Sequence, residues 1–139
     1  MEVKKVVEYE DLDALIPLIQ KLYAETGIDR YVSLVGYISW ITVSFPSSNF
    51  QIWKGEENGE VKGYLIAHIT QRFLIKECCI VDAFIDENDE ATVKTVYAKI
   101  NEWARENECK QISIVSKREK AFARKYGFDY FGSVMIRKV

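Results

Sequence analysis

The run FLIKECCIVDAFI, residues 73–85, constrains this chain more than any other stretch. It is long and mostly apolar, the composition of a strand covered on both faces, so it belongs centrally in a sheet. Its neighbours fix the kind of sheet. Upstream, FQIWKG (50–55) and VKGYLIAHIT (61–70) flank Asn58-Gly59, which supplies the positive φ angles of a tight hairpin turn, and a polar break at Gln71-Arg72 leads into 73–85. Strands joined in this way are antiparallel. Downstream, Val93, Val96, Tyr97, Ile100, Trp103 and Ala104 form one face of a helix reaching Asn107, and QISIVS (111–116) reads as the next strand. A full helix between two strands calls for a right-handed crossover and a parallel pair. The sheet is expected to be mixed.

The remaining segments complete the order. VKKVVEY (3–9) reads as a first strand, and Leu12, Leu15, Ile16, Ile19, Leu22 and Tyr23 recur at helical spacing up to Gly27. Pro17 is placed near the first turn of that helix, where a missing N–H costs least. A second helical pattern covers 31–45, with Leu34, Val35, Ile38, Ile41 and Phe45 on one side. KREKAFARKY (117–126) reads as a helix stopped by Gly127, and FDYFGSVMIRK (128–138) as a last strand or bent pair of strands. The order is β-α-α-β-β-β-α-β-α-β, without repeats or linkers. A chain of 139 residues, 48% hydrophobic, fills one core, so a single domain is expected over 1–139.

Charge and cysteine usage narrow the function classes. A net charge of −2 gives no global field toward nucleic acid or an anionic membrane. Cys78, Cys79 and Cys109 are an odd number without C-x-x-C spacing, and His68 is the only histidine, so no metal site is expected. MEVKKVVEYED lacks the apolar region of a signal peptide, and the apolar stretch 31–45 is broken by Ser33, Gly36, Ser39, Thr42 and Ser44. A cytoplasmic protein with reduced thiols, binding neither nucleic acid nor membrane, is expected.

This element order, together with DLDALIPLIQKLYAETG, INEWARENECKQISIVS and RKYGF, resembles the Gcn5-related N-acetyltransferase (GNAT) superfamily over nearly the whole chain. The resemblance implies an α/β (α+β), single-domain acyl-CoA N-acyltransferase fold, with a mixed, mostly antiparallel sheet, a central parallel pair and four flanking helices. It further implies acetyl-CoA in a cleft between the parallel strands, with main-chain groups of Val81, Asp82 and Ala83 along the pantetheine. The acceptor would be a small-molecule or peptide amine. Glu77 is the carboxylate it suggests as general base, against the alternative of a charge on the solvent-facing or strand-edge side, paired with Lys76 or Arg72. Ser116, where the family commonly has asparagine, would bond a pantetheine amide or cap the last helix.

The chain departs from the family at the cofactor loop. Counted back from Trp103-Ala104, the pattern Arg/Gln-x-x-Gly-x-Gly/Ala falls on Asn88 to Val93, with Asn88 for the base, Ala91 for the first glycine and Val93 for the last small residue. Glycines serve there because they let the backbone approach the diphosphate and aim N–H groups at it. Here Asp86, Glu87, Asp89 and Glu90 surround the junction instead. Carboxylates favour a helix start, and Asp86, Asn88 and Asp89 can cap it themselves. A second departure is Ala123, where the family often has a tyrosine that protonates the leaving thiolate.

Two functional readings follow. One is a weak or atypical N-acetyltransferase with a degenerate grip on acetyl-CoA. The other is a non-catalytic binding or assembly module, a homodimer or a partner for another protein. It would use the aromatic set Tyr31, Tyr37, Trp40 and Phe45, or the basic set Lys117, Arg118, Lys120, Arg124 and Lys125. His68 is either a satisfied structural residue or a catalytic one. Cys78 and Cys79 are expected on opposite faces of their strand.

Overall fold

The computed structural model describes residues 1–25, 29, 32–86, 88–114, 127–128 and 137. Its elements are β1 (Glu2–Lys5), α1 (Tyr9–Leu22), α2 (Leu34–Ser44), β2 (Phe50–Glu57), β3 (Glu60–Arg72), β4 (Ile75–Phe84), α3 (Glu90–Glu106) and β5 (Gln111–Ile114). The strands form one sheet in the order β1-β2-β3-β4-β5. All neighbours are antiparallel except β4 and β5, which run parallel. The mixed sheet and its α3 crossover match the sequence reading. Three of the four expected helices are present. The fourth, 117–126, and Ser116 lie outside the described residues, as does most of 128–138.

Both faces of the sheet are covered. Leu12, Leu15, Ile19 and Leu22 of α1 and Tyr37 and Ile41 of α2 pack with Ile52, Tyr64 and Ile66. Val96, Ile100 and Trp103 of α3 pack with Val3, Trp53, Leu65, Ala67, Cys78 and Ile80 on the other face. Trp53 meets Trp103 edge to face, with ring centroids 5.6 Å apart. Each fully buried Leu or Ile contributes about 1.5–3 kcal/mol. The α1 and α3 positions lie on the helical stripes read from the sequence; in α2 the reading needs correction, because Val35, expected on the covered side, is 78% exposed and Tyr37 is buried beside Ile41 instead. No helix among the described residues is long and apolar enough to cross a membrane.

Three local expectations need correction. The first strand ends at Lys5 rather than Tyr9, because the Glu8 carbonyl already accepts the N–H groups of Asp11 and Leu12 as α1 begins. Pro17 therefore lies inside α1, well past the first turn. Gln71 and Arg72 are not a break: they pair with Lys76 and Ile75, and the turn is Phe73-Leu74, at φ of 49° and 66°. Left-handed geometry at two successive residues suits a tight hairpin, as at Asn58-Gly59. At the second hairpin the strand register, rather than turn-forming residues, dictates it.

One irregularity positions the site. Ile66 pairs with Asp82 but Ala67 pairs with Ile80, so Val81 is an extra residue bulged out of β4. An inserted residue reverses the alternation beyond it. Glu77 and Cys79 face α1 and α2, and the bulge returns Asp82 to that same face.

Candidate active site

The face of the sheet beneath α1 and α2 carries a polar row inside an apolar surround. Glu77 of β4 is 0% exposed. Its Oε1 accepts from Arg72 Nε at 3.0 Å and its Oε2 from Gln111 Nε2 at 2.6 Å. Burial alone would raise this carboxyl, but the hydrogen bonds from Gln111 and Arg72 and the guanidinium charge outweigh it and hold it below the ordinary range. Glu77 is thus an anion with both oxygens engaged: the pairing with Arg72 agrees with the sequence alternative, but its solvent-facing or strand-edge placement does not, because the side chain is fully buried.

A depressed carboxyl stabilises the fold above its unfolded value, near pH 4.3, and loses that contribution as pH falls through its folded value. Glu77→Gln should therefore unfold more easily at pH 7, by about 1–2 kcal/mol for the lost charge-assisted bonds. The difference from the native chain should shrink toward pH 3. Urea titrations at both ends of that range measure it, and a constant difference would contradict this account.

On the far side of the bulge, Asp82 is nearly buried. Its Oδ2 accepts from Tyr37 Oη at 2.6 Å and from Tyr64 Oη at 2.9 Å, tying α2 to β3 and β4. Burial pushes the Asp82 carboxyl up, opposed by Tyr37, Tyr64 and the Ala83 N–H. Burial and the Asp82 charge drive both phenols upward, so they stay protonated donors. Sequence reasoning took Asp82 for its main chain alone and missed this side-chain role. A carboxylate inside the apolar run 80–85 was the available signal.

His68 of β3 lies between these groups. It pairs across the sheet with Phe50 on one side and Cys79 on the other. Its ring meets the edge of Trp40 with centroids 6.1 Å apart. Burial lowers its pKa, partly offset by the Glu77 charge. Cys78 faces the α3 core, where burial pushes its thiol up to about 12, while Cys79 faces this site.

The other sequence-derived positions are distributed around the end of β4. Val81 is the bulge residue, and Ala83 is exposed. Asp86 Oδ1 accepts the Asn88 N–H at 3.0 Å. Asp89 is the N-cap of α3: its Oδ1 accepts the Thr92 N–H at 3.0 Å and its Oδ2 the Thr92 hydroxyl at 2.5 Å. These bonds hold the Asp89 carboxyl below its ordinary range. Of the three expected caps only Asp89 caps α3; Asp86 closes a turn ahead of the helix by accepting the Asn88 N–H, and Asn88 contributes that donor rather than a cap. Ala91 is exposed in the first turn of α3, and Val93 is buried. An open groove of about 580 Å³ passes this end of β4, lined by Met1, Glu57, Lys62, Ala83, Phe84, Ile85 and Asp86.

No protein-family model and no curated protein matches the sequence. Solved structures match it closely in shape. A predicted acetyltransferase from Clostridium acetobutylicum, solved with acetyl-CoA, superposes with a TM-score of 0.79 at 12% identity, over 99% of this chain and 95% of that one. The aminoglycoside 6'-N-acetyltransferase AAC(6')-IG of Acinetobacter haemolyticus gives 0.76 at 12% identity, over 100% and 98%. The aminoglycoside N-acetyltransferase AAC(6')-Iy, in complex with CoA, gives 0.74 at 11% identity, over 99% and 98%. The fold is that of the GNAT superfamily.

Proposed function

We propose that this chain is an atypical N-acetyltransferase that moves an acetyl group from acetyl-CoA to an amine and holds the cofactor's diphosphate weakly. The observation that carries the reading is the polar row of buried Glu77, half-buried His68 and buried Asp82, which runs from the start of the parallel pair to the Val81 bulge just past its end. An apolar sheet face has no packing reason to hold an anion there. Shape likeness to acetyltransferases solved with acetyl-CoA and CoA supports the cofactor class.

In this reading the main chain of Val81, Asp82 and Ala83 aligns the pantetheine, Ser116 meets one of its amides, and Asn88 and Ala91 border the diphosphate. Glu77, buried and paired with Arg72 and Gln111, is the fixed negative charge behind the place where an ammonium group, of a small molecule or at the end of a peptide side chain, would sit. The amine nitrogen, once deprotonated, attacks the thioester carbonyl. The C–S bond breaks and CoA leaves as thiolate. The protein would work in the cytoplasm, where acetyl-CoA is available.

Calorimetry with acetyl-CoA tests this. The expected dissociation constant is hundreds of micromolar or weaker, because the α3 caps occupy donors a diphosphate would use. Low-micromolar binding would refute the weak grip, and no binding at millimolar cofactor would refute the transferase. The second reading, an assembly module, is favoured by α2, which carries no charged residue and leaves Val35 and Val43 78% and 80% exposed. Light scattering on the isolated chain distinguishes it: a strict monomer that binds cofactor leaves only the enzyme.

A further inference from the structure

We propose that His68 takes the proton from the acceptor amine, with Glu77 fixed behind it as a negative charge that does not itself exchange protons. This rests on the transferase reading above and assigns its base to a different residue from the one the family likeness suggests. Three observations converge on it.

First, both oxygens of Glu77 are engaged, by Arg72 and Gln111. A carboxylate held in that way has little basicity left to offer. Second, His68 is half-buried on the same face and its ring nitrogens have no hydrogen-bond partner among the described residues. Those nitrogens are not among the buried atoms left without a partner, so they reach solvent and a lone pair is open to an incoming group. Third, His68 sits directly opposite Cys79, which makes Glu77, two residues earlier on the same face, its diagonal neighbour. Diagonal pairs in an antiparallel ladder lie roughly 7–8 Å apart. That is close enough for the charge to steady an imidazolium and too far for a direct proton exchange.

Among the described residues the titratable groups facing His68 are Glu77 and Cys79 of β4. β2 and α2 present Phe50 and Trp40, which carry no charge. Burial of the ring favours its neutral form and the Glu77 charge favours the protonated one, with burial the larger effect. His68 is therefore a neutral imidazole at pH 7, able to accept a proton. In the transfer, the ammonium proton moves to the open His68 nitrogen and the freed pair attacks the thioester carbon. CoA departs as thiolate, and the imidazolium then releases its proton to solvent.

The chain has one histidine, so its imidazole resonances can be followed without assignment. NMR titration of the native chain should give a midpoint below the ordinary 6.5, and Glu77→Gln should lower it further by removing the charge that supports protonation. Thiol release from acetyl-CoA, with kanamycin, spermidine and a lysine peptide as acceptors, should show kcat/KM falling on the acid side at that same midpoint. His68→Gln should lose at least about 100-fold in kcat/KM, together with that acid limb, while calorimetry shows its acetyl-CoA affinity unchanged. An NMR midpoint at or above 6.5, or transfer in His68→Gln that keeps the limb, overturns this assignment alone. Absence of acetyl-CoA binding overturns the transferase reading and this one with it. Binding without transfer to any of the three acceptors overturns the assignment.

Discussion

Asp82→Ala should destabilise the fold by about 3–5 kcal/mol, since two buried hydroxyls lose their acceptor at about 1–3 kcal/mol each and a cavity opens beside them. Tyr37 and Tyr64 are each 2% exposed, so neither phenol can turn to water instead. For a domain of this size the midpoint of thermal unfolding should fall by about 10 °C or more. Asp82→Asn is the informative partner. An asparagine carbonyl still accepts from both phenols, so this variant should stay within about 1 kcal/mol of the native chain at pH 7.

The pH dependence separates charge from hydrogen bonding. The Asp82 carboxyl is raised by burial, so protonation favours the folded state. Its stabilising effect is complete below the unfolded value near pH 3.9 and is lost as pH rises through the folded value. Glu77 contributes with the opposite sign, gaining where Asp82 loses. Asp82→Asn should therefore remove a slope that Glu77→Gln exposes. Thermal melts between pH 3 and 7 read both. Should Asp82→Ala and Asp82→Asn prove equally destabilising, the tyrosine hydroxyls are not what holds α2 to the sheet.

Much of this architecture was legible because it is periodic. The buried stripes of α1 and α3 repeat at steps of three and four, Asn58-Gly59 announces its turn, and a helix between two strands implies a parallel pair. Asp89 could be read as a cap from its place before an apolar helical stripe. What escaped depends on residues far apart in sequence. The bulge at Val81 is visible only once β3 and β4 are in register, and Tyr37 meets Asp82 across 45 positions. The Phe73-Leu74 turn escaped for the reverse reason. Its residues are apolar and its polar neighbours Gln71 and Arg72 belong to the ladder, so local turn chemistry pointed one pair too early. The partners of Glu77 illustrate both cases: Arg72, five residues away, was named from sequence, whereas Gln111 became a neighbour only through the α3 crossover.

Rebuilding the cofactor loop should produce the largest change in binding: Asp86→Asn, Asn88→Arg and Ala91→Gly together should tighten acetyl-CoA by about 100-fold, or roughly 2.7 kcal/mol. Asp86 binds the Asn88 N–H with a carboxylate that would face the diphosphate. At about 5 Å and an effective dielectric near 20, such a pair of like charges repels by about 3 kcal/mol before screening. The new arginine adds a bidentate donor, and glycine in the first turn opens the backbone for close approach. Val93 and Asp89 are left alone, because Val93 is buried in the core and Asp89 caps α3 through Thr92. Salt provides the control. Repulsion that is screened should make native binding strengthen or hold steady as salt rises, whereas the rebuilt loop, now attractive, should weaken. If the triple variant binds no better, or both proteins respond to salt alike, then charge at the start of α3 does not govern the cofactor, and the weak grip must come from elsewhere in the cleft.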